Sequence, residues 1–199
     1  MSQSNAPRRI GVSGYMGAGK STCAALLCRV CGMRCVDADA EAKQLTESDD
    51  GLKDEIVRAF GRPLVRKGVV DFRALGEIAF SSTGAMETLN RIVHPGLVRR
   101  LLALTSAAAE PLVLDAALIP MWGMADSFDL CLWITAGRDI RLARVCAKTG
   151  LSDVVVKQRM LVQEALMAPP SGPRWRLIDN EGAPEQLAEA VKKILAGGP

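Results

Sequence analysis

The stretch Gly14-Tyr15-Met16-Gly17-Ala18-Gly19-Lys20-Ser21 fits GxxxxGKS, and it stands between an apolar run, Arg9 to Ser13, and an alanine- and leucine-rich run, Lys20 to Cys31. That order predicts a buried strand, a glycine-rich turn and a helix closed by Gly32 as its C′ residue. Glycines let the backbone wrap a phosphate with N–H groups pointing inward, and the following helix adds the positive end of its dipole. Gly14, Tyr15, Met16, Gly17, Ala18, Gly19, Lys20, Ser21 and Thr22 are therefore the candidate nucleotide-binding residues. Lys20 would reach the β- and γ-phosphates of ATP, and Ser21 would offer a hydroxyl to Mg2+. The bland alternative is a tight turn that happens to precede Lys-Ser.

A chain of 199 residues holds one full core with one or two small appendages, not two catalytic domains. Further short apolar runs at Arg34 to Asp37, Leu112 to Asp115, Leu130 to Ile134 and Arg176 to Ile178 alternate with helical patterns. The expected fold is α/β: a parallel five-stranded P-loop core sheet flanked by helices, built from residues 1–39, 110–137 and 174–199. Between Asp39 and Glu110 only helical segments are predicted: Leu52 to Phe60, Phe72 to Phe80, Ala85 to Val93 and Gly96 to Ala109. Residues 40–109 thus form a helical insertion, and two helices in 138–173, the second with Ser152 as N-cap, form a candidate lid that ends at APPSGP. The last helix starts with Pro184 and lines up Leu187, Val191, Ile194 and Leu195.

The net charge of +3 gives no field for nucleic acid or an anionic membrane, so any anion site must be local. Met1 to Pro7 is short and polar without a signal pattern, and a cytoplasmic protein is expected. The six cysteines read as reduced thiols; Cys28, Cys31 and Cys35 have near-zinc spacing, weighed against a role as small buried side chains. A monomer or weak homo-oligomer acting on a small molecule is the expectation.

Ligands of open α/β sheets lie beyond the C-terminal strand ends. Asp115 there is either a second magnesium-side group or a turn residue. Asp37 and Asp39 follow the second strand and would face the phosphates if that strand neighbours the first. Spacing alone does not choose between them as the group that orients a hydroxyl and takes its proton, and Asp39 could instead be an N-cap. His94 precedes Pro95, which biases it to an extended conformation at a helix boundary; it is a structural residue or an acceptor contact. Arg141, Arg144 and Lys148 share one helix face, as do Arg159 and Gln163 on the next helix. These cations either close over ATP or form a solvated basic face. Asn180 and Gly182, after the final strand, are candidate adenine contacts.

GVSGYMGAGKSTCA, the VDAD at Val36 to Asp39, the FG at Phe60-Gly61, the LGEIAF at Leu75 to Phe80 and the LNRIVHP at Leu89 to Pro95 resemble dephospho-CoA kinases, over about four fifths of the chain. The resemblance implies transfer from magnesium ATP to the ribose 3′-hydroxyl of dephospho-CoA, with residues 40–109 holding the coenzyme substrate and 138–173 the lid. It also selects Asp39 as the catalytic base, likens Arg144 to the family's lid arginine and favours His94 as an acceptor contact; Lys20 joins Asp39 and Arg144 as a candidate catalytic residue, and Asp37 and Arg159 are candidate substrate contacts. The chain departs from the family after Asp115, where Ala116-Ala117-Leu118-Ile119-Pro120-Met121 replaces a Pro-Leu-Leu-Phe-Glu block. Phe72 replaces an arginine, Arg141 stands for a lid glutamine, and no lid lysine or Ala-Asp pair is recognisable from Ala165 to Arg176. A regulatory GTPase would need an NKxD motif, which is absent. A nucleoside or nucleotide kinase, or a non-catalytic nucleotide-binding module, are the other readings.

Overall fold

The computed structural model describes residues 7–61 and 64–196; the polar start of the chain, on which the cytoplasmic reading partly rests, and the outer ends of the expected core at 1–6 and 197–199 lie outside them. Five parallel strands form the main sheet: β1 (Arg9–Gly14), β2 (Arg34–Asp37), β5 (Leu112–Asp115), β6 (Leu130–Thr135) and β7 (Trp175–Asp179). Their order is β2-β5-β1-β6-β7. Each central strand is apolar on both faces, and the two-residue side-chain period sorts those faces into two cores. Ile10, Val12, Val113, Leu130, Leu132 and Ile134 point to one side, against α1 (Lys20–Cys31) and α8 (Pro184–Ala196). Leu112, Leu114, Cys131 and Trp133 point to the other, against α5 (Thr83–Ala107). Leu187 and Val191 of α8 are buried there and Ile194 and Leu195 half-buried, the stripe expected from their spacing.

The insertion departs from the sequence pattern in three ways. First, α2 (Ala38–Ser48) starts directly at the end of β2, because the Asp37 carboxylate accepts the N–H groups of Asp39 at 2.8 Å and Ala40 at 3.3 Å. Asp37, not Asp39, is the N-cap. Second, a small hairpin, β3 (Val65–Arg66) with β4 (Val69–Val70), interrupts the helices α3 (Asp50–Phe60) and α4 (Phe72–Ala79). Its turn residues Lys67 and Gly68 both have positive φ, 53° and 78°, the left-handed pair that a two-residue hairpin turn demands. Two-residue strands carry too little alternation to be read in advance. Val70 and Leu64 close a separate small core with Ile56 and Leu75.

Third, the expected break at His94-Pro95 does not occur, and α5 runs through Pro95 as one 25-residue helix. Proline inside a helix costs roughly 3 kcal/mol. Val93, Leu97 and Leu101, spaced four apart across the proline, are all buried, and each large apolar side chain returns roughly 1.5–3 kcal/mol. The buried stripe outweighs the local preference. Two helices, α6 (Arg138–Thr149) and α7 (Asp153–Leu166), complete the chain between β6 and β7. Ser152 holds the N-cap position of α7 without a side-chain capping bond. No helix among the described residues is long and apolar enough to cross a membrane.

Candidate active site

The phosphate loop leaves β1 at Gly14 and enters α1 through Gly19, whose φ of 103° is left-handed. A side chain at Gly19 would run into the Asn180 amide, so glycine is required here twice over, by torsion and by space. The first intrahelical bond of α1 is Cys23 N–H to Gly19 O at 3.0 Å, which leaves the amides of Lys20, Ser21 and Thr22 ahead of it in the helix's anion-binding first turn. Ser21 and Thr22 are exposed. Lys20 donates to the Tyr15 carbonyl at 3.2 Å, bending its ammonium back over the loop.

The sheet order corrects one premise. Asp37 and Asp39 were expected to face the loop if β2 neighboured β1, but β5 lies between them, which puts β2 about 10 Å from β1 at roughly 4.8 Å per strand. The pairing places Asp37 beside Asp115, both on the α1 side of the sheet by side-chain parity. Charge nonetheless acts across that distance, since Lys20 feels both Asp115 and Asp39. Burial pushes the Lys20 pKa down, while Asp115 first and Asp39 second pull it back up; Lys148 and Arg141 oppose them. Burial raises the Asp115 pKa, against the Ser21 hydroxyl and the Lys20 ammonium. Burial and the adjacent Asp37 raise that of Asp39, against Lys20 and Lys43. Asp37 and Asp39 are exposed, so this charge cluster reaches solvent.

Asn180 is buried, donates its amide to the Ala18 carbonyl at 2.7 Å and is held through its own N–H by Thr135 O at 2.8 Å. It shapes the loop. The neighbouring Glu181 accepts the Gly137 N–H at 2.7 Å, ahead of α6, and Gly182 is exposed beside the Gln186 side chain.

The cations predicted to share faces part company. Gln163 accepts the Met16 N–H at 2.7 Å, but Arg159, four residues earlier, stacks on Phe80 at 5.1 Å, next to the insertion. Arg144 is half-buried, with one guanidinium nitrogen, Nη1, lacking any protein partner. Lys148 is exposed and acts on Lys20 only through its charge. Arg141, expected among the lid cations, is buried. Its counter-ion Glu164, at 2.6 Å, carries no motif and was not anticipated.

His94 sits inside α5 and its Nδ1 accepts the Trp122 indole N–H at 3.1 Å, so the imidazole is neutral with its proton on Nε2. Burial pushes its pKa down to about 4. Trp122 lies in the segment after β5 that departs from the family's pattern, and nothing in the spacing of residues 94 and 122 announces the pair. All six cysteines are free, and no group of three or more His, Cys, Asp or Glu residues among those described could hold a metal by itself.

Two outcomes follow. Asn180→Ala strips the Ala18 carbonyl of its buried partner, and should raise the ATP KM several-fold while costing about 1–3 kcal/mol in urea unfolding; wild-type values for both would refute the loop clamp. Because the folded His94 pKa lies below the free value of about 6.5, its contribution to stability is complete above that pH and is lost as pH falls toward 4. His94→Gln should therefore flatten the decline of Tm between about pH 6.5 and 4.5. An unchanged slope would show that His94 titrates normally.

A family model for dephospho-CoA kinase matches residues 8–171. The dephospho-CoA kinase of Anaeromyxobacter dehalogenans is 34% identical over 194 residues, covering 95% of this chain and 91% of its own length. The crystal structure of TT1252 from Thermus thermophilus superposes with a TM-score of 0.68 at 32% identity, covering 96% of this chain and 98% of that one. Dephospho-CoA kinase from Campylobacter jejuni, at 18% identity and TM-score 0.60 over 96% of this chain and 99% of its own, shares the fold. A glycine-rich loop between β1 and α1, carried by a chain that matches in sequence over most of its length, makes this protein a member of the dephospho-CoA kinase family.

Proposed function

We propose that the chain transfers the γ-phosphoryl group of ATP to the ribose 3′-hydroxyl of dephospho-CoA, releasing coenzyme A, ADP and a proton, in the cytoplasm. The observation that carries this reading is the match to the dephospho-CoA kinase family over most of the chain, with the glycine-rich loop in place between β1 and α1. Lys20 and the amides from Gly14 to Thr22, apart from those of Met16 and Ala18, which are bonded to Gln163 and to the Tyr15 carbonyl, hold the donor phosphates. Asp39 orients the acceptor hydroxyl and takes its proton; phosphoryl transfer has a loose transition state, so position matters more than strong basicity. Arg144 brings an unpartnered guanidinium N–H to the charge that redistributes over the phosphoryl oxygens. Asp37 and His94 belong to the acceptor side. Arg159 is assigned there too, through the Phe80 end of the insertion. Residues 40–109 form the coenzyme-binding region and 138–173 the lid. Asn180 and Gly182 border the adenine end, Asn180 chiefly by shaping the loop.

The donor set suits Mg2+. Three carboxylates beside one lysine would repel a triphosphate, and the site offers a hydroxyl and a carboxylate, Ser21 and Asp115, rather than a full protein cage. Magnesium takes few protein ligands and completes its shell with phosphate oxygens and water. It would neutralise donor charge there.

ADP release measured with dephospho-CoA, AMP, adenosine and water as separate acceptors should show turnover chiefly with dephospho-CoA. Asp39→Asn should lose nearly all of it while still binding ATP; normal turnover in that variant would remove Asp39 as the base. The base must be ionised, and its pKa is raised, so kcat should fall on the acid side above the usual carboxylate value of about 3.9. Asp37→Asn deletes one cause of the rise while keeping a capping side chain, and should move that acid limb to lower pH. A limb that stays in place would mean another group controls it.

A further inference from the structure

We infer that Arg141 is a positioning residue for the phosphate loop: clamped between Glu164 and Tyr15, it locks the α6–α7 pair to the loop so that the two form one unit. This rests on the reading of Gly14 to Ser21 as the ATP site.

Arg141 is 6% exposed, an uncommon location for a guanidinium. Its Nε donates to the Ala136 carbonyl at 3.1 Å and its Nη2 to Glu164 at 2.6 Å. Its plane lies over the Tyr15 ring at 5.0 Å. Tyr15 is itself caught on two further sides: its hydroxyl donates to Met167 O at 2.8 Å, at the end of α7, and its ring meets Trp133 edge-on at 5.2 Å. The next residue, Met16, gives its N–H to Gln163, one position before Glu164. A side chain at Gly17 would strike the Arg141 backbone. Three consecutive residues, Tyr15, Met16 and Gly17, thus lie fixed against α6 and α7, and the Tyr15 carbonyl receives Lys20.

Such a pair is poor evidence of stabilisation, because removing two charges from water offsets most of their attraction. What it supplies is geometry. A guanidinium can satisfy an ion pair with its edge and an aromatic ring with its face at once, which an ammonium or an amide cannot. With Arg141 shortened, Glu164 keeps Arg138 at 3.8 Å, whereas Tyr15 loses the cation stacked on its face. The damage should therefore fall on the loop.

The test is a set of variants, Arg141→Gln, Arg141→Lys, Tyr15→Leu and the double Arg141→Gln/Tyr15→Leu, measured for ATP Kd by calorimetry, for the KM of each substrate and for Tm. Arg141→Gln and Tyr15→Leu should each weaken ATP about tenfold with the dephospho-CoA KM within twofold of wild type. Arg141→Lys should recover less than half of the loss on a logarithmic scale, and the double variant should be no weaker than the worse single one. Additive losses, a parallel rise in both KM values, or a lower Tm with unchanged ATP affinity would overturn the assignment. Should Arg141→Gln not fold, Tyr15→Leu and Arg141→Lys carry the same comparison. Calorimetry needs no acceptor, so a tenfold weaker ATP complex in a chain that ignores dephospho-CoA would defeat the acceptor assignment and leave this one standing.

Discussion

A loop that offers most of its amides to a phosphate has few left to hold its own shape, and beyond the Ala18 N–H to Tyr15 O bond at 3.2 Å it needs other support. Here the shape is imposed from outside. Asn180 grips the Ala18 carbonyl, Gln163 takes the Met16 amide, and Arg141 with Trp133 encloses the Tyr15 ring. These contacts come from the loop after β7, from α7, from α6 and from β6, so four separate parts of the chain converge on a few residues between Gly14 and Gly19. Preorganisation of this kind is what lets fixed dipoles act on a charged ligand without rearranging first.

The second constraint is electrostatic. Parallel pairing brings Asp37 and Asp115 side by side at the ends of adjacent strands, and Asp39 follows within one turn of α2. Three acidic groups with one lysine is an unbalanced set, and it adds to the burial that chiefly raises Asp39 and Asp115. A divalent cation would offset the negative excess of that set, which a polyanion alone would deepen. Capping divides labour within the motif: Asp37 faces the backbone of α2, which frees Asp39 from that role.

Much of this was legible in the residues. All five main strands and α1 were predictable because each is a short apolar run bounded by glycine, proline or charge, and the loop because eight positions stand in register. The strand order was not legible. Periodicity reports which face is buried, not which strand lies beside which, and β5 comes between β1 and β2 from about 75 residues downstream of β2, by roughly the length of the insertion. The continuity of α5 escaped because a local rule about proline met a buried stripe that only tertiary packing reveals. Pairs such as Trp122 with His94, or Glu164 with Arg141, escaped because side-chain partners across tens of residues leave no spacing signature.

The sheet order has a consequence for the life of the chain during synthesis. The central strand β1 emerges first, yet both of its neighbours, β5 and β6, lie far behind it, and Asn180 is 162 residues from the carbonyl that it holds. Such long-range pairing is slow, and an unpaired central strand is a sticky edge until it is covered. The nascent protein must therefore carry its most conspicuous segment unfinished until β7 and the loop after it have been made. The geometry of the loop is thus the last thing the sheet confers, since its clamp arrives only with the residues that follow β7.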